Sequence, residues 1–316
     1  MKPIATPAVS GIRDRKVKER VESNNVSTPL RSLKRSAPQA QRSSNEVLLK
    51  RNAPQATFDY NLSVCILASG SRGNAIFISD GLTSILIDAG LSGIEIERRM
   101  QSKGLCPQDL DAILVSHEHT DHIQGVGVLS RRFNLPVYIS RGTKETAASY
   151  LGDVYDFKRF ECGTTFKIAD LTIHPFSLSH DAQDPAGFTI LQNGTKVGIT
   201  TDLGIATAMV KEHLKGCSLL ILEANHDPVM LIDGPYPWPV KQRIRSRAGH
   251  LSNEASGNLL KEIQHERLQH VVLAHLSETN NTPQKALDEV GRALIHPNTK
   301  LDVATQDECG ALIHLK

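Results

Sequence analysis

Short apolar runs alternate with turns and amphipathic stretches from Leu62 to the end of the chain. Short apolar runs bounded by polar turns predict strands, and apolar positions three or four residues apart predict helices. Strands and helices mixed along one chain predict a layered α/β domain. The predicted strands are Ser63–Ala68, Ala75–Ser79, Ser84–Asp88, Ala112–Ser116, Val137–Ile139, Leu171–Pro175, Ala186–Gln192, Lys196–Thr200, Leu219–Glu223, His270–Ala274 and Leu301–Val303. The predicted helices are Ser92–Lys103, Gly125–Phe133, Gly142–Leu151, Gly204–Leu214, Asn253–Ile263 and Pro283–Leu294.

Two connections between these elements are defined by their turn residues. Asn193-Gly194, between two predicted strands, suits the positive φ angles of a type I′ hairpin turn. Residues 225–247 include Trp238 flanked by prolines, which predicts an irregular surface excursion that faces the substrate.

The first 60 residues differ in composition from the rest of the chain. They contain twelve Lys and Arg against five Asp and Glu, a net charge of +7, which leaves −5 for residues 61–316. Because they are rich in Ser, Pro, Asn and Gln, they bury too little apolar surface to offset the entropy of ordering. We predict a disordered basic tail over residues 1–60 and one folded domain over residues 61–316. The tail is inert, binds nucleic acid, docks a partner, or is an organelle transit peptide, although its acidic residues disfavour the last.

The sequence carries no membrane or secretory signal. No apolar run reaches the ~18 residues that span a bilayer, and the tail lacks the apolar core of a signal peptide. Five scattered cysteines without a C-x-x-C pair are typical of buried free thiols in a reducing compartment. We therefore expect a cytoplasmic protein with no membrane partner, of an oligomeric state that these features do not determine.

The densest group of metal-binding residue types is His117-Glu-His119-Thr-Asp121-His122. It follows an apolar run directly, so it lies where a buried strand opens into a loop that can aim several imidazoles at one point. Imidazole nitrogen suits zinc, iron and copper, and carboxylate oxygen adds manganese to the choice. His117 and His119 can reach one ion, and Asp121 and His122 a second ion beside it. The pattern predicts a metal site for zinc, manganese or iron.

This motif resembles the metallo-β-lactamase superfamily, whose other ligands have counterparts here at strand ends in the expected order. The resemblance implies an αββα sandwich, two mixed β-sheets flanked by helices, and a cofactor of two divalent metal ions. Asp88 is expected behind the ligands, where it orders their loops. The implied ligands are His117, His119 and His180 for the first ion, Asp121, His122 and His275 for the second, and Asp202 bridging the two.

Two further segments resemble the proton-donating pair of RNase Z-type enzymes. Glu223 ends a predicted strand, and His250 precedes a predicted helix. A Glu oriented against a His raises the basicity of the imidazole and keeps it available as a general acid. We expect His250, supported by Glu223, to protonate the leaving group, and Asp121 also to orient the attacking water. The alternative for Glu223 and His250 is a capping or loop role.

Polar residues near the predicted ligands are candidates for substrate contact. The small residues of 67–75 let the backbone approach a ligand closely, and Arg72 suits a phosphate, unless this segment is only a glycine-rich hairpin. A basic run beside His250 is either a nucleic-acid patch or plain solvated surface. The substrate-contact candidates are Ser71, Arg72, Asn74, Asn225, Ser277 and Asn280, and the basic run is Lys241, Arg243, Arg245 and Arg247.

Together these segments resemble the YycJ/WalJ group, bacterial metallo-β-lactamase-fold proteins regarded as DNA exonucleases acting 5′ to 3′. The resemblance covers the folded part, and the spacing from Asp202 to His275 leaves no room for the β-CASP insertion of RNase J-type nucleases. It implies hydrolysis of nucleic acid, DNA favoured over RNA, by a dinuclear metal-activated water in DNA repair. One alternative is a small-molecule hydrolase (cyclic phosphodiesterase, lactonase or thioesterase), which the acidic folded part favours. A non-catalytic nucleic-acid scaffold would need a degraded ligand set.

Overall fold

In the computed structural model, which describes residues 60–316, the chain forms two seven-stranded sheets that pack face to face. The strands are β1 (Leu62–Ala68), β2 (Ala75–Ser79), β3 (Ser84–Ile87), β4 (Ala112–Leu114), β5 (Pro136–Ile139), β6 (Asp156–Arg159), β7 (Phe166–Ile168), β8 (Leu171–Ser177), β9 (Ala186–Gln192), β10 (Thr195–Thr200), β11 (Leu219–Glu223), β12 (His270–Ala274), β13 (Lys300–Val303) and β14 (Ile313–Leu315). The first sheet has the order β14-β1-β2-β3-β4-β5-β6, and the second has the order β13-β12-β11-β10-β9-β8-β7.

Helices cover the outer face of each sheet. Those of the first sheet are α1 (Gly93–Ser102), α2 (Thr120–Ile123), α3 (Val126–Phe133) and α4 (Arg141–Leu151). The second half of the chain contains α5 (Ala208–Leu214), α6 (Pro228–Asp233), α7 (Trp238–Ile244), α8 (Asn253–Ile263) and α9 (Pro283–Gly291), of which α5, α8 and α9 pack on the second sheet. The order helix, sheet, sheet, helix confirms the predicted αββα sandwich, and within the described residues no inserted domain separates Asp202 from His275.

The β1 strand illustrates why both faces of these sheets are buried. Val64 and Ile66 belong to the core between the sheets, whereas Cys65 and Leu67 pack with the outer helices. Because side chains alternate along a strand, an unbroken apolar run supplies both faces at once. The sandwich therefore has three apolar layers, one between the sheets and one under each set of helices.

Strand direction brings the polar strand ends together. Strands β3 to β6 are parallel to one another, as are β10 to β13, so their carboxyl ends lie at one edge of each sheet. Open α/β sheets bind ligands beyond the carboxyl ends of their strands. Asp88, Asp202 and His275 follow β3, β10 and β12 and have positive φ angles of 58°, 59° and 56°. Such backbone costs on the order of 1 kcal/mol or more and is concentrated at functional sites.

Most predicted elements are confirmed to within a few residues, and the differences have local causes. The predicted helix Gly204–Leu214 begins only at Ala208, because the Thr207 side chain caps it by accepting from Val210 N. Strands β6, β7 and β14 were not predicted. They are edge strands of three or four residues, with half-exposed or exposed positions that give no apolar run.

The prediction of an irregular excursion over residues 225–247 is wrong. This segment contains α6 and α7, each with proline in its first turn, and Asp227 caps α6 by accepting from Met230 N. The N–H group of the first helical residue has no partner within the helix, so a proline there loses no hydrogen bond. The fixed φ angle of proline is already helical. The prolines therefore start helices here instead of excluding them.

Other expectations can be compared with the structure directly. Asn193 and Gly194 have φ angles of 48° and 82°, which confirms the type I′ hairpin turn. All five cysteines are free, but only Cys65 and Cys217 are buried as predicted, whereas Cys162 and Cys309 are partly buried and Cys106 is exposed. Over residues 60–316, no helix is both long and apolar enough to cross a bilayer. The predicted disordered tail lies outside the described residues.

Candidate metal centre

Five histidines and two aspartates meet at the carboxyl edge of the two sheets. His117 and His119 lie in the loop after β4, and His122 lies on α2. The others come from three separate loops of the second half of the chain, which the fold brings to the same place. These are His180 after β8, Asp202 after β10 and His275 after β12, with Asp121 on α2 completing the set.

Three imidazoles converge on one point. His119 Nδ1 lies 3.0 Å from His117 Nε2 and 3.3 Å from His180 Nε2. One nitrogen from each ring therefore lies within 4.8 Å of the other two. Three imidazole nitrogens in this arrangement form a ligand set suited to zinc, iron or manganese.

A second group adjoins the first. Asp121 Oδ2 lies 3.6 Å from both His122 Nε2 and His275 Nε2. Asp202 lies between the groups: Oδ2 is 3.1 Å from His122 Nε2, and Oδ1 is 3.7 Å from His180 Nε2. The structure therefore brings all seven predicted ligands together in the predicted two groups, with Asp202 facing both.

Each ring except that of His119 is oriented by a hydrogen bond from the Nδ1 atom. His122 Nδ1 donates to Asp88 Oδ2 at 2.8 Å, His180 Nδ1 to Gly249 O at 3.1 Å, and His275 Nδ1 to Glu223 Oε1 at 2.9 Å. A proton held at Nδ1 leaves the Nε2 lone pair free toward the centre. This is the arrangement by which neighbouring groups orient metal-binding histidines.

Asp88 and Ser116 support the loop behind the ligands. Asp88 accepts hydrogen bonds from Ser116 N, Ser116 Oγ and His122 Nδ1, each at 2.8 Å. Ser116 Oγ in turn lies 2.9 Å from His117 Nδ1. Asp88 thus has the contacts expected of a residue that orders ligand loops. The sequence interpretation overlooked Ser116, although it directly precedes the histidine motif.

Two buried atoms of the centre lack hydrogen bonds. Among the described residues, Asp202 Oδ2 and His275 Nε2 are buried without a hydrogen-bond partner of good geometry. An unpaired buried polar atom costs about 1–3 kcal/mol, so such atoms are rare in stable proteins. Both face the centre, where a cation would satisfy them. The donor set and these two atoms together fit divalent metal ions.

The carboxylates give the centre a negative potential. Burial lowers the pKa of His275, but the carboxylates of Asp202, Asp121 and Glu223 outweigh it and raise the pKa to about 10. Burial also opposes the charge on His122, yet Asp202 and Asp88 hold its pKa well above the ordinary value. Groups at these positions attract positive charge, whether it is supplied by protons or by a cation.

Glu223 joins the centre to His250. Its buried Oε1 accepts from His250 Nδ1 at 2.7 Å and from His275 Nδ1 at 2.9 Å. Its Oε2 accepts from the backbone N–H of Leu203 at 2.7 Å and of Leu251 at 3.1 Å. Burial raises the pKa of Glu223, but His250 and His275 outweigh it and lower the pKa to about 2. Glu223 is therefore an anion that positions three loops.

His250 is the more exposed member of this pair. Burial lowers the pKa of His250, but the charge and hydrogen bond of Glu223 outweigh it and raise the pKa above the ordinary value. The His250 side chain remains 21% exposed, so a substrate can reach it. An accessible imidazole whose pKa is raised by an anionic partner has the properties of a general acid.

Three of the predicted substrate contacts are buried and bonded within the protein. Asn74 Nδ2 donates to Gly70 O at 3.1 Å, and Asn225 Nδ2 donates to the backbone oxygen of His275 at 2.9 Å. Asn280 is fully buried. These side chains brace the ligand loops, and their burial does not favour direct contact with a substrate. Ser277 is 9% exposed, at the border of burial.

Ser71 and Arg72 are exposed in the loop between β1 and β2. Arg72 Nη2 pairs with Glu278 Oε1 at 2.6 Å and with Asp307 Oδ2 at 2.9 Å. Of the predicted basic run, Lys241 does not belong to an exposed patch: it is buried, and its Nζ donates to Ile232 O at 2.6 Å. The sequence interpretation also missed Asp181, whose Oδ1 lies 3.3 Å from His180 Nε2.

Comparison with known proteins identifies the family of this chain. The family model described as "Beta-lactamase superfamily domain" matches residues 83–276. The chain belongs to the metallo-β-lactamase superfamily, the class that the fold and the histidine-rich centre define. Within it the chain is YycJ/WalJ-like. It is 36% identical over 235 residues to exodeoxyribonuclease YycJ of Bacillus anthracis, an alignment that covers 74% of this chain and 89% of the relative.

A second relative and two solved structures extend the comparison. Exodeoxyribonuclease WalJ of Streptococcus pneumoniae is 37% identical over 225 residues, which cover 70% of this chain and 84% of that protein. The metallo-β-lactamase fold protein YhfI from Bacillus subtilis matches with a TM-score of 0.61 at 18% identity, over 79% of this chain and 98% of that one. The short form of human tRNase Z matches with a TM-score of 0.57 at 16% identity, over 79% and 99% of the two chains. At these identities the structures show a shared fold alone.

Proposed function

We propose that this protein is a phosphodiesterase acting on nucleic acid, most specifically a 5′-to-3′ DNA exonuclease. Membership of the superfamily makes the chain a metal-dependent hydrolase. The observation that carries the proposal is the Glu223–His250 pair at the edge of the metal centre, with Nδ1 and Oε1 2.7 Å apart. Hydrolysis of a nucleic-acid strand expels a poor alkoxide leaving group, and such a group needs a proton donor. The exodeoxyribonuclease relatives support DNA as the polymer.

The metal ligands in this proposal are the two groups of the centre. His117, His119 and His180 would hold one ion, and Asp121, His122 and His275 a second, with Asp202 shared between them. When bound, a pair of divalent ions supplies Lewis acidity toward phosphate oxygens and lowers the pKa of water. The nitrogen and carboxylate donors suit zinc, manganese or iron, and there is no cysteine among the described groups to select zinc.

The protein's own contribution to the reaction is orientation and proton transfer. Glu223 holds the proton of His250 at Nδ1, so the imidazolium can release its second proton from Nε2 toward the leaving oxygen. Asp121 is 23% exposed and adjoins His275 at 3.6 Å, so its carboxylate can accept a hydrogen bond from the attacking water and orient it. Ser71, Arg72 and Ser277 remain the predicted substrate contacts.

A small-molecule hydrolase of the same fold is the second candidate. The folded part carries a net charge of −5, whereas nucleic-acid enzymes usually present a basic face. The basic tail, with a net charge of +7, offsets this and could hold the polymer electrostatically. A cytoplasmic role in DNA repair is part of the exonuclease proposal, and a result that contradicts the exonuclease activity would also contradict this role.

The test is digestion of end-labelled duplex DNA, single-stranded DNA and RNA by metal-free protein that has been reloaded with manganese or zinc. Stepwise release of nucleotides from the 5′ end of DNA, absent in the His119→Ala variant, is the expected result. If no polymer is cleaved while a simple phosphodiester, lactone or thioester is hydrolysed, the second candidate is correct.

A further inference from the structure

The segment Asp227–Arg247, here called the insert, lies between the two members of the proposed proton-donating pair. It begins four residues after Glu223 and ends three residues before His250. The insert contains α6 and α7 and has no role in the mechanism above. Its contacts and its surface indicate what it does.

One end of the insert is fastened to the loop that follows His275. Asp227 N donates to Asn280 O at 2.9 Å, and the Tyr236 hydroxyl lies 3.2 Å from Thr279 Oγ1. Gly234 packs so closely here that a Cβ atom would lie 2.5 Å from Asn280 Oδ1. This end of the insert is therefore held in position beside the second ligand group.

The other end is fastened to the loop that carries His180. Arg243 forms an ion pair with Asp181, the residue whose other oxygen lies 3.3 Å from His180 Nε2. The Ser179 hydroxyl donates to Arg247 O at 2.7 Å. The insert thus reaches from the loop after His275 to the loop that carries His180. Only Asp181 separates Arg243 from His180, a member of the first ligand group.

The outward surface of the insert is both aromatic and basic. Trp238, the only tryptophan in the chain, is 54% exposed. Pro237 and Pro239 restrict the backbone on either side of it. Arg243, Arg245 and Arg247 are all exposed. The insert contains three exposed arginines and the buried Lys241 against two acidic residues, Asp227 and Asp233, whereas residues 61–316 as a whole are acidic.

We propose that the insert binds a single-stranded end of the nucleic-acid substrate, with Trp238 stacked on an unpaired base and Arg245 and Arg247 on backbone phosphates. This inference rests on the proposed function and names the form of its substrate. Proteins that bind single strands combine a basic surface with exposed aromatic rings, because every base has a face on which a ring can stack. Inside a duplex both faces of each base are already occupied by the neighbouring base pairs, so the insert favours unpaired bases.

The single tryptophan provides a direct measurement. The full-length metal-loaded protein is titrated with oligothymidylate whose phosphorothioate linkages keep the charge but resist hydrolysis, and tryptophan emission is recorded together with the anisotropy of a dye on the oligonucleotide. We expect saturable quenching of Trp238 at the same concentrations at which the anisotropy rises. A duplex of equal length should bind without comparable quenching.

The variants separate stacking from charge. Trp238→Ala should weaken binding of the single strand about ten-fold or more, and Trp238→Phe should recover most of the loss because it keeps a ring. Arg245→Gln and Arg247→Gln should each lower the slope of log Kd against log salt by about 0.7. Val229→Ala, at an exposed position of the same insert, and Arg292→Gln, an exposed arginine outside the insert, are the matched controls. The basic tail is the same in every variant, so differences between them report on the insert.

Three results would overturn the proposal. The first is single-strand binding that Trp238→Ala leaves unchanged. The second is equal quenching by the duplex. The third is a dimer that Trp238→Ala dissociates without changing DNA affinity, which would identify a second copy as the occupant. Failure of the proposed function is distinguishable: it would leave quenching and the Trp238→Ala loss intact while unmodified DNA is not degraded.

Discussion

His250 and His275 donate hydrogen bonds to the same carboxylate oxygen, Glu223 Oε1, at 2.7 and 2.9 Å. One buried anion therefore orients a predicted metal ligand and the predicted proton donor together. Because the two imidazoles share a partner, a change at Glu223 should affect both, whereas a change at His250 should leave the metal centre in place.

Replacing the shared carboxylate should move the pH dependence of turnover. His250 acts while protonated, so activity is present below its pKa and is lost as the pH rises through that value. Glu223 raises this pKa. Glu223→Gln should therefore shift the basic limb of the kcat profile to lower pH and reduce kcat by about 10²–10⁴-fold. The check is a pH profile of wild type and variant, with thermal unfolding to confirm that both are folded; an unmoved basic limb would contradict the role of Glu223.

The role of His250 can be tested through the leaving group. His250→Ala should retain metal, but its kcat on DNA should fall about 10²–10⁴-fold, because the alkoxide leaves without a proton. A p-nitrophenyl ester of thymidine 5′-phosphate has a leaving group that needs no proton, so the variant should be much less impaired on it. Rates on both substrates, with metal content by mass spectrometry, are the measurement. Equal impairment on the two substrates would exclude general-acid catalysis by His250.

Metal content should depend on the converging imidazoles. We expect two equivalents of divalent metal in wild type and at most one in His119→Ala, because His119 Nδ1 lies at the centre of the first group. His213→Ala is the matched control, since His213 lies on α5, packed against His174 and Phe176 and away from the centre. Full occupancy of His119→Ala would show that His119 is not a ligand.

The backbone behind the ligands should not tolerate a methyl group. A Cβ atom at Gly90 would lie 1.6 Å from Asp121 O, so Gly90→Ala must displace the Asp121 loop. We expect destabilisation by about 1–3 kcal/mol or more, together with weaker metal binding. Gly257→Ala, inside α8, meets only ordinary contacts from 3.6 Å and should be neutral or stabilising by about 0.5–1 kcal/mol. Urea unfolding of both variants gives the comparison, and equal stabilities would count against the close approach at Gly90.

Local patterns were sufficient for much of the fold. Strand β11 and helix α8 have the bounds that the apolar pattern predicts, because β11 is an unbroken buried run and α8 has a periodic buried face. The short strand β6 escaped prediction because its partly exposed residues show no apolar alternation. Prolines near Trp238 were misread, because the same residue that breaks a helix interior also starts a helix.

The sequence by itself determined the residue types of the metal centre and the spacing of His117, His119, Asp121 and His122, since contacts within one loop depend on few backbone angles. Resemblance supplied the remaining ligands. Only the tertiary structure decided that Asn74, Asn225 and Asn280 are buried braces, that Glu223 serves two imidazoles, and that the insert joins two ligand loops. Burial and shared hydrogen bonds depend on which distant segments pack together, and no local pattern specifies that.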